Sequence, residues 1–222
     1  MPNKYYILAF LTALTTSNIS SAVENKNNKF QSFNTSKKKL SRDVYSQIPR
    51  TTIYCLASFN NKRKVTDPNG FRSTKHKKRQ QKIEWEHIVP VENLGRNFPE
   101  WHQGDSACVN RKGKAFKGWR CVSKINRSFR FMQADMYNLY PAIGAVNALR
   151  SNYSFYSQIR APQRQFGQCP IKINNKSVQP PDYARGQIAR AYLYMESAYP
   201  RYKIGRQKRE LQAWHKRYPV TE

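Results

Sequence analysis

The sequence predicts an α+β fold, mostly helical, built as a single domain with a small antiparallel sheet. Three observations predict it. Apolar residues recur at helical spacing in the second half of the chain, with Phe129, Met132 and Met136 in one segment and Ile188, Ala189, Tyr192 and Met195 in another. The first half carries short β signals: Thr51-Thr52-Ile53-Tyr54-Cys55 is β-branched and aromatic, and from Ile83 onward apolar and acidic residues alternate. A chain of 222 residues is of a length that suits one domain.

Residues 1–22 read as a secretory signal, because Lys4 precedes the apolar run Tyr5 to Leu14 and Ser20-Ser21-Ala22 supplies small residues for cleavage. That run is about half as long as a membrane span requires and no later segment comes closer, so no membrane insertion is expected. Residues 23–39, rich in Asn, Ser and Lys, read as a loosely held basic arm, with ordered structure from Leu40 to Glu222. Thr51 to Cys55 is expected as a strand, and Asp67-Pro68-Asn69-Gly70 as a turn inside the basic stretch Asn60 to Arg79. The alternating segment from Ile83 is a strand that Pro90 ends or turns. Arg96 to Arg120 is a hydrophilic loop, Ser123 to Tyr137 a helix, and Pro141 the first residue of a helix running through Asn147 to about Asn152. Pro180-Pro181 opens a long helix, and a last one lies around Gln207 to Tyr218.

Lys and Arg number 40 against 13 Asp and Glu, a formal net charge of +27, of which the signal carries a single lysine. Solubility does not require so large an excess of one sign, so the balance points to a polyanionic partner. Nucleic acid fits best, since 14 Tyr, 11 Phe and 4 Trp offer faces on which bases stack. Anionic lipid heads or lipopolysaccharide are the other polyanions such a charge suits. The four cysteines form no Cys-x-x-Cys pair, which argues against zinc or redox chemistry and suits disulfides in an exported protein. Three connectivities are open. The expected one joins Cys108 to Cys121 across the loop Val109 to Arg120 and leaves Cys55 for Cys169.

Chemistry concentrates in Glu84-Trp85-Glu86-His87, where Glu84, Glu86 and Glu92 bring three carboxylates into nine positions of a strongly basic chain. Such a cluster is where a hard cation can bind beside a phosphodiester. The order Glu-His is not the His-Glu-x-x-His of zinc peptidases, and no Gly-x-Ser-x-Gly is present. What remains is a histidine taking a proton from water beside an oxygen ligand for a divalent ion. Regular strand alternation sends Glu86 and His87 to opposite faces, so their convergence on one phosphate asks for a strand end or a bulge.

The stretches Glu84 to Pro90, Met136 to Asn147 and Arg150-Ser151-Asn152 resemble the endonuclease I family of periplasmic and secreted bacterial nucleases. Tyr54-Cys55, Phe166 to Cys169, Pro180-Pro181, Arg185-Gly186 with Ile188 to Arg190, and Ala213-Trp214 extend the likeness in order through the chain. The resemblance implies a ββα-metal active site within residues 40–222, with His87 as general base and Glu86 and Asn147 holding one Mg²⁺. Mn²⁺ or Ca²⁺ would also suit such an oxygen site. It further implies Arg120, beside Cys121, as the cation that stabilises the transition state or the product phosphate. Arg150, Arg185 and Arg190 are candidate phosphate contacts. The chain departs from many relatives at Gln133, where they carry a glutamate. The expectation is therefore an exported, monomeric, non-specific endonuclease, periplasmic or secreted, that cuts double- and single-stranded DNA to leave 5′-phosphates, with RNA an open substrate. A non-catalytic basic DNA-binding protein and a cationic envelope-binding protein are the alternatives from other classes.

Overall fold

The N-terminal segment is where the fold first departs from expectation. In the computed structural model, which describes residues 26–220, helix α1 spans Phe33–Lys39 and continues into a π-helical turn at Leu40–Val44. Ser32 caps it by accepting from the Thr35 amide. The segment is docked: the Asn27 side chain donates to the Phe131 carbonyl at 2.8 Å, and the Ser36 hydroxyl to the Ala134 carbonyl at 2.5 Å. Polar side chains that read as a solvated arm thus find backbone acceptors. The secretory signal expected at 1–22 lies outside the described residues.

Strands β1 (Ser58–Phe59) and β2 (Val65–Asp67) form a short hairpin, followed by β3 (Ile83–His87). Four helices come next: α2 (Val91–Gly95), α3 (Pro99–His102), α4 (Trp119–Ile125) and α5 (Arg127–Gln133). Strand β4 (Leu139–Ile143) runs directly into α6 (Gly144–Arg150). Then β5 (Ser154–Phe155), β6 (Lys172–Asn174) and β7 (Ser177–Gln179) make a three-stranded sheet in which β7 is parallel to β5 and antiparallel to β6. Helices α7 (Asp182–Ala198) and α8 (Lys208–Arg217) close the chain. Where the sequence led to one small sheet, the described residues form three, one of them mixed.

Strands β3 and β4 are antiparallel in unbroken register from Ile83 opposite Ile143 to His87 opposite Leu139. Pro141, expected to start a helix, instead sits mid-strand opposite Trp85. A two-stranded ribbon leaves one edge of β4 without a ladder, so the missing N–H costs nothing there. The Pro141 carbonyl still accepts from the Ile53 amide at 2.9 Å. The helix begins at Gly144, where a Cβ would stand 2.7 Å from the Arg79 carbonyl. Thr51 to Cys55 is not a strand. It makes an isolated bridge at Thr51 and then turns at Leu56 (φ 52°), because the open edge of β4 beside it offers the Pro141 carbonyl to Ile53 but no proline N–H to extend a ladder. The helix expected over Ser123 to Tyr137 breaks at Asn126, whose side chain accepts from the Phe129 amide and starts α5 afresh.

One large core of buried side chains runs from Ile53 to Trp214, with α7 contributing Ala184, Ile188, Ala189, Tyr192 and Met195. A smaller cluster of Leu40, Phe59, Ile83, Trp85 and Leu139 lies against α1. The β3–β4 ribbon separates the two, and this sandwiching gives each face of β3 its own surroundings. Among the described residues no helix is long and apolar enough to cross a membrane.

Disulfides join Cys55 to Cys169, 114 residues apart, and Cys108 to Cys121, 13 apart. The first ties the turn after Ile53 to the loop ahead of β6. Replacing Cys55 and Cys169 together by serine is expected to lower unfolding free energy by about 3–5 kcal/mol, and the Cys108/Cys121 pair by about 3 kcal/mol or less, in urea titrations. Equal losses for the two pairs would contradict the dependence on loop length.

Candidate active site

Side chains alternate along β3, so Glu84 and Glu86 leave by one face and Ile83, Trp85 and His87 by the other. The acidic face meets α6. Asn147 donates through Nδ2 to Glu84 Oε2 at 3.1 Å, and Arg150, one helical turn later, pairs with Glu86 at 3.1 Å. Two carboxylates on the strand thus face an amide and a guanidinium on the helix. Glu84 is also bound in fork geometry by Arg79.

Glu86 is buried, and Tyr54 donates its hydroxyl to Oε1 at 3.0 Å, the same oxygen that Arg150 reaches. Burial raises its carboxyl to about 7, against the pull of Arg150 and Tyr54, while the charge of Glu84 adds to the rise. Arg150 is 1 % exposed and lies under the site rather than in it. Its Nη1 and Nη2 donate to the carbonyls of His87 and Ile88 at 2.8 and 2.6 Å, and its guanidinium stacks on Phe155 at 4.5 Å. The expectation of a phosphate contact at Arg150 is corrected accordingly. A cation with no open face cannot meet a nucleic acid, and this one holds the end of β3 and the Glu86 carboxylate.

His87, on the opposite face, packs against Phe33 of α1 with ring centroids 4.5 Å apart and the ring planes tilted by 43°. Its Nε2 lies 2.8 Å from the Gln133 carbonyl. A carbonyl only accepts, so Nε2 carries the proton and Nδ1 keeps its lone pair in the neutral ring. Dense surroundings lower the imidazole to about 4, with Arg150 and Lys37 adding to the effect and the Gln133 bond opposing it. The register continues through His87, so no bulge turns it toward Glu86, and the two residues flank the last positions of the strand.

Gln133 connects this face to the disulfide loop, since its side-chain oxygen accepts from Trp119 Nε1 at 2.7 Å. Arg120, the next residue, is exposed and packs its guanidinium 4.7 Å from the Phe116 ring. Arg185 donates to the Ser157 carbonyl, pairs with Asp182 and lies over Trp214, while Arg190 donates to the Tyr218 carbonyl. Both tie α7 to its neighbours. The two guanidiniums expected as phosphate contacts are half-buried and make these internal bonds, as a guanidinium on a helix face that packs against α8 finds carbonyls within reach.

Sequence reasoning missed Tyr54, Arg150 and Phe33 as supports of the site. The spacing of Asn147 and Arg150 was the one available signal, since residues three apart share a helix face.

The profile of the endonuclease I family matches residues 11–222. The chain belongs to that family. It is 37 % identical over 197 residues to an extracellular deoxyribonuclease of Aeromonas hydrophila, covering 86 % of this chain and 79 % of the relative. It is 33 % identical over 191 residues to Endonuclease-1 of Buchnera aphidicola, covering 83 % and 70 %. A periplasmic deoxyribonuclease of Aeromonas hydrophila is 34 % identical over 184 residues, covering 80 % and 71 %. Membership makes the protein a nuclease, and relatives named extracellular and periplasmic mark it as exported.

Among the described residues no three His, Cys, Asp or Glu side chains cluster to hold a metal. The endonuclease I chain has a leaner donor set. Both hydrogen bonds of Glu86 fall on Oε1, leaving Oε2 without a partner among the described residues, and Asn147 commits its NH₂ to Glu84 and keeps Oδ1. One carboxylate oxygen and one amide oxygen fit a hard divalent cation that retains several waters.

Proposed function

We propose that this exported nuclease is a non-specific endonuclease that hydrolyses DNA phosphodiester bonds, with His87 as general base and Glu86 and Asn147 as ligands of a single Mg²⁺. The observation that carries the reading is the β3–β4–α6 unit, which places a histidine and a carboxylate at the end of one strand and an asparagine on the helix that follows its partner. In-line displacement puts the attacking water and the departing oxygen on opposite sides of phosphorus. His87 and Glu86 leave β3 by opposite faces, which suits that division of labour. Nδ1 of His87 accepts the proton of water, while Gln133 and Phe33 hold the ring. A divalent ion held by Glu86 and Asn147 would offset charge on the phosphate and the departing 3′ oxygen, leaving a 5′-phosphate. Arg120, exposed beside the Trp119–Gln133 link, would meet a phosphate oxygen. Binding by charge alone gives affinity without base choice, so double- and single-stranded DNA are both substrates in this reading.

The test is plasmid nicking by oxidised protein with Mg²⁺ and with EDTA. Nicking with metal and none with chelator is the expected result; nicking unaffected by EDTA would sink the metal assignment, and retarded but uncut plasmid the enzymatic one.

Protons should compete with the metal. Glu86 titrates at about 7 in the fold, so Mg²⁺ affinity is expected to weaken by about tenfold per pH unit below that point. Metal-free stability is a poor readout. The raised Glu86 favours the fold at low pH and loses that gain between about 4.5 and 7; the lowered His87 does the reverse between about 4 and 6.5, and the two oppose each other. The readout is therefore the rise in Tm on adding Mg²⁺, measured at several pH values. A rise equally large at pH 5 and pH 8 would exclude Glu86 as a ligand.

A further inference from the structure

A basic cleft of about 580 Å³ lies between α1 with its π-helical turn and the loop that precedes β2. Lys37, Lys38, Arg42, Asn61, Arg63 and Trp85 line it. Arg42 is matched by Asp43, which also takes Lys39. Lys37 and Arg63 are in no salt bridge among the described residues. The acid nearest in effect to Lys37 is Glu84, and that carboxylate is already engaged by Arg79 and Asn147. Partial burial lowers the Lys37 ammonium and the charge of Arg63 lowers it further, against the opposing charge of Glu84, so the two cations lie close together. Lys37 is steadied over the Phe33 ring at 4.4 Å, and the Arg63 carbonyl accepts from the Ile83 amide at 2.9 Å.

The second observation is independent of charge. Trp85 is 4 % exposed, and its indole N–H is buried with no hydrogen-bond partner. A buried donor without an acceptor costs about 1–3 kcal/mol, and Trp85 lines the cleft, so an anion's oxygen that enters and opens the lining far enough to reach the N–H recovers that cost. Trp85 also shares a face of β3 with His87, two residues and roughly 7 Å along the strand.

We propose that this cleft binds a phosphate of the nucleic-acid strand next to the bond being cut, with Lys37 and Arg63 supplying charge and the Trp85 indole N–H a hydrogen bond. The inference rests on the nuclease reading for its choice of ligand. It also accounts for the docking of the N-terminal segment, since α1 brings Lys37 to the substrate while Phe33 packs on His87. The subsite fixes the strand's path across the base without reading any base.

The experiment is ¹⁵N-indole NMR of the mature, oxidised protein in EDTA, titrated with a thymidine tetranucleotide. The chain has 4 Trp, and the Trp85 signal is the one lost in Trp85→Phe. The expected result is a saturable shift of that signal, weakened in Lys37→Gln/Arg63→Gln, together with a log–log salt slope of binding lower by about 0.7 for each phosphate contact removed. A Trp85 signal that stays still while the Trp119 signal saturates would overturn the proposal, as would a shift or a salt slope indifferent to the double substitution. Inorganic phosphate moving Trp85 as far at equal concentration would make the cleft a free-anion site and overturn it too. Plasmid nicking with Mg²⁺ on the same wild-type sample separates the two readings: an enzyme that cuts while Trp85 is silent loses only the subsite, and a protein that never cuts loses the nuclease reading whatever Trp85 does.

Discussion

Replacing His87 with alanine is expected to lower kcat/KM for DNA cleavage by ~10²–10⁴, the contribution of a positioned general base. The loss should fall on kcat, because the ring binds no ground-state charge. With Nε2 donating to the Gln133 carbonyl, Nδ1 is the nitrogen left to act, and at about 4 the free imidazole is neutral throughout the physiological range. So weak a base needs help to take a proton. A phosphate arriving beside it supplies negative charge that favours the protonated ring, so the acid limb of kcat should lie above that of kcat/KM. Circular dichroism and DNA retention in EDTA serve as controls, since both should survive the substitution. His87→Ala protein that still cuts at more than a tenth of the wild-type rate would move the base elsewhere, and an intact fold would rule out collapse as the cause of any loss.

How much of this was legible in the sequence depended on whether a residue's partner was local. The helix after Pro181 and the strand from Ile83 follow from turn chemistry and periodicity inside short windows, and the structure has both, the strand stopping at His87 ahead of Pro90. Pro141 misled because the rule that places proline at a helix start has a competitor, the free edge of a two-stranded ribbon, and only the count of paired strands decides between them. Thr51 to Cys55 misled for the related reason that β propensity describes a surface that needs a neighbour. In the site, Glu86 and His87 stood out by composition, whereas Tyr54, 32 residues from Glu86, and Phe33, on the α1 segment that read as an arm, join it through contacts that no local pattern carries. Arg150 read as a phosphate contact because it follows Asn147, the expected metal ligand, in the sequence. Its burial follows from Glu86, whose charge had to be met by something inside the core.

That pair yields the second large effect. Arg150→Met is expected to destabilise the metal-free protein by about 3–5 kcal/mol at neutral pH, as seen when one partner of a buried ion pair is removed. Two losses add to the missing attraction. The carbonyls of His87 and Ile88 lose their donors at the end of β3, and Glu86 is left with Tyr54 alone. Since Arg150 is the strongest influence holding the Glu86 carboxyl down against burial, its removal should carry that group above 7 and keep it protonated under assay conditions. A protonated carboxyl is no ligand for Mg²⁺, so metal-induced stabilisation should vanish along with cleavage even where the variant is folded. Arg150→Met/Glu86→Gln distinguishes these contributions. With the charge gone from both sides, stability should recover by a measurable part of the loss in urea titrations, while cleavage stays at background. Recovery of neither would assign the cost to the strand-end carbonyls rather than to the ion pair, and cleavage by the double variant would show that Glu86 holds no metal.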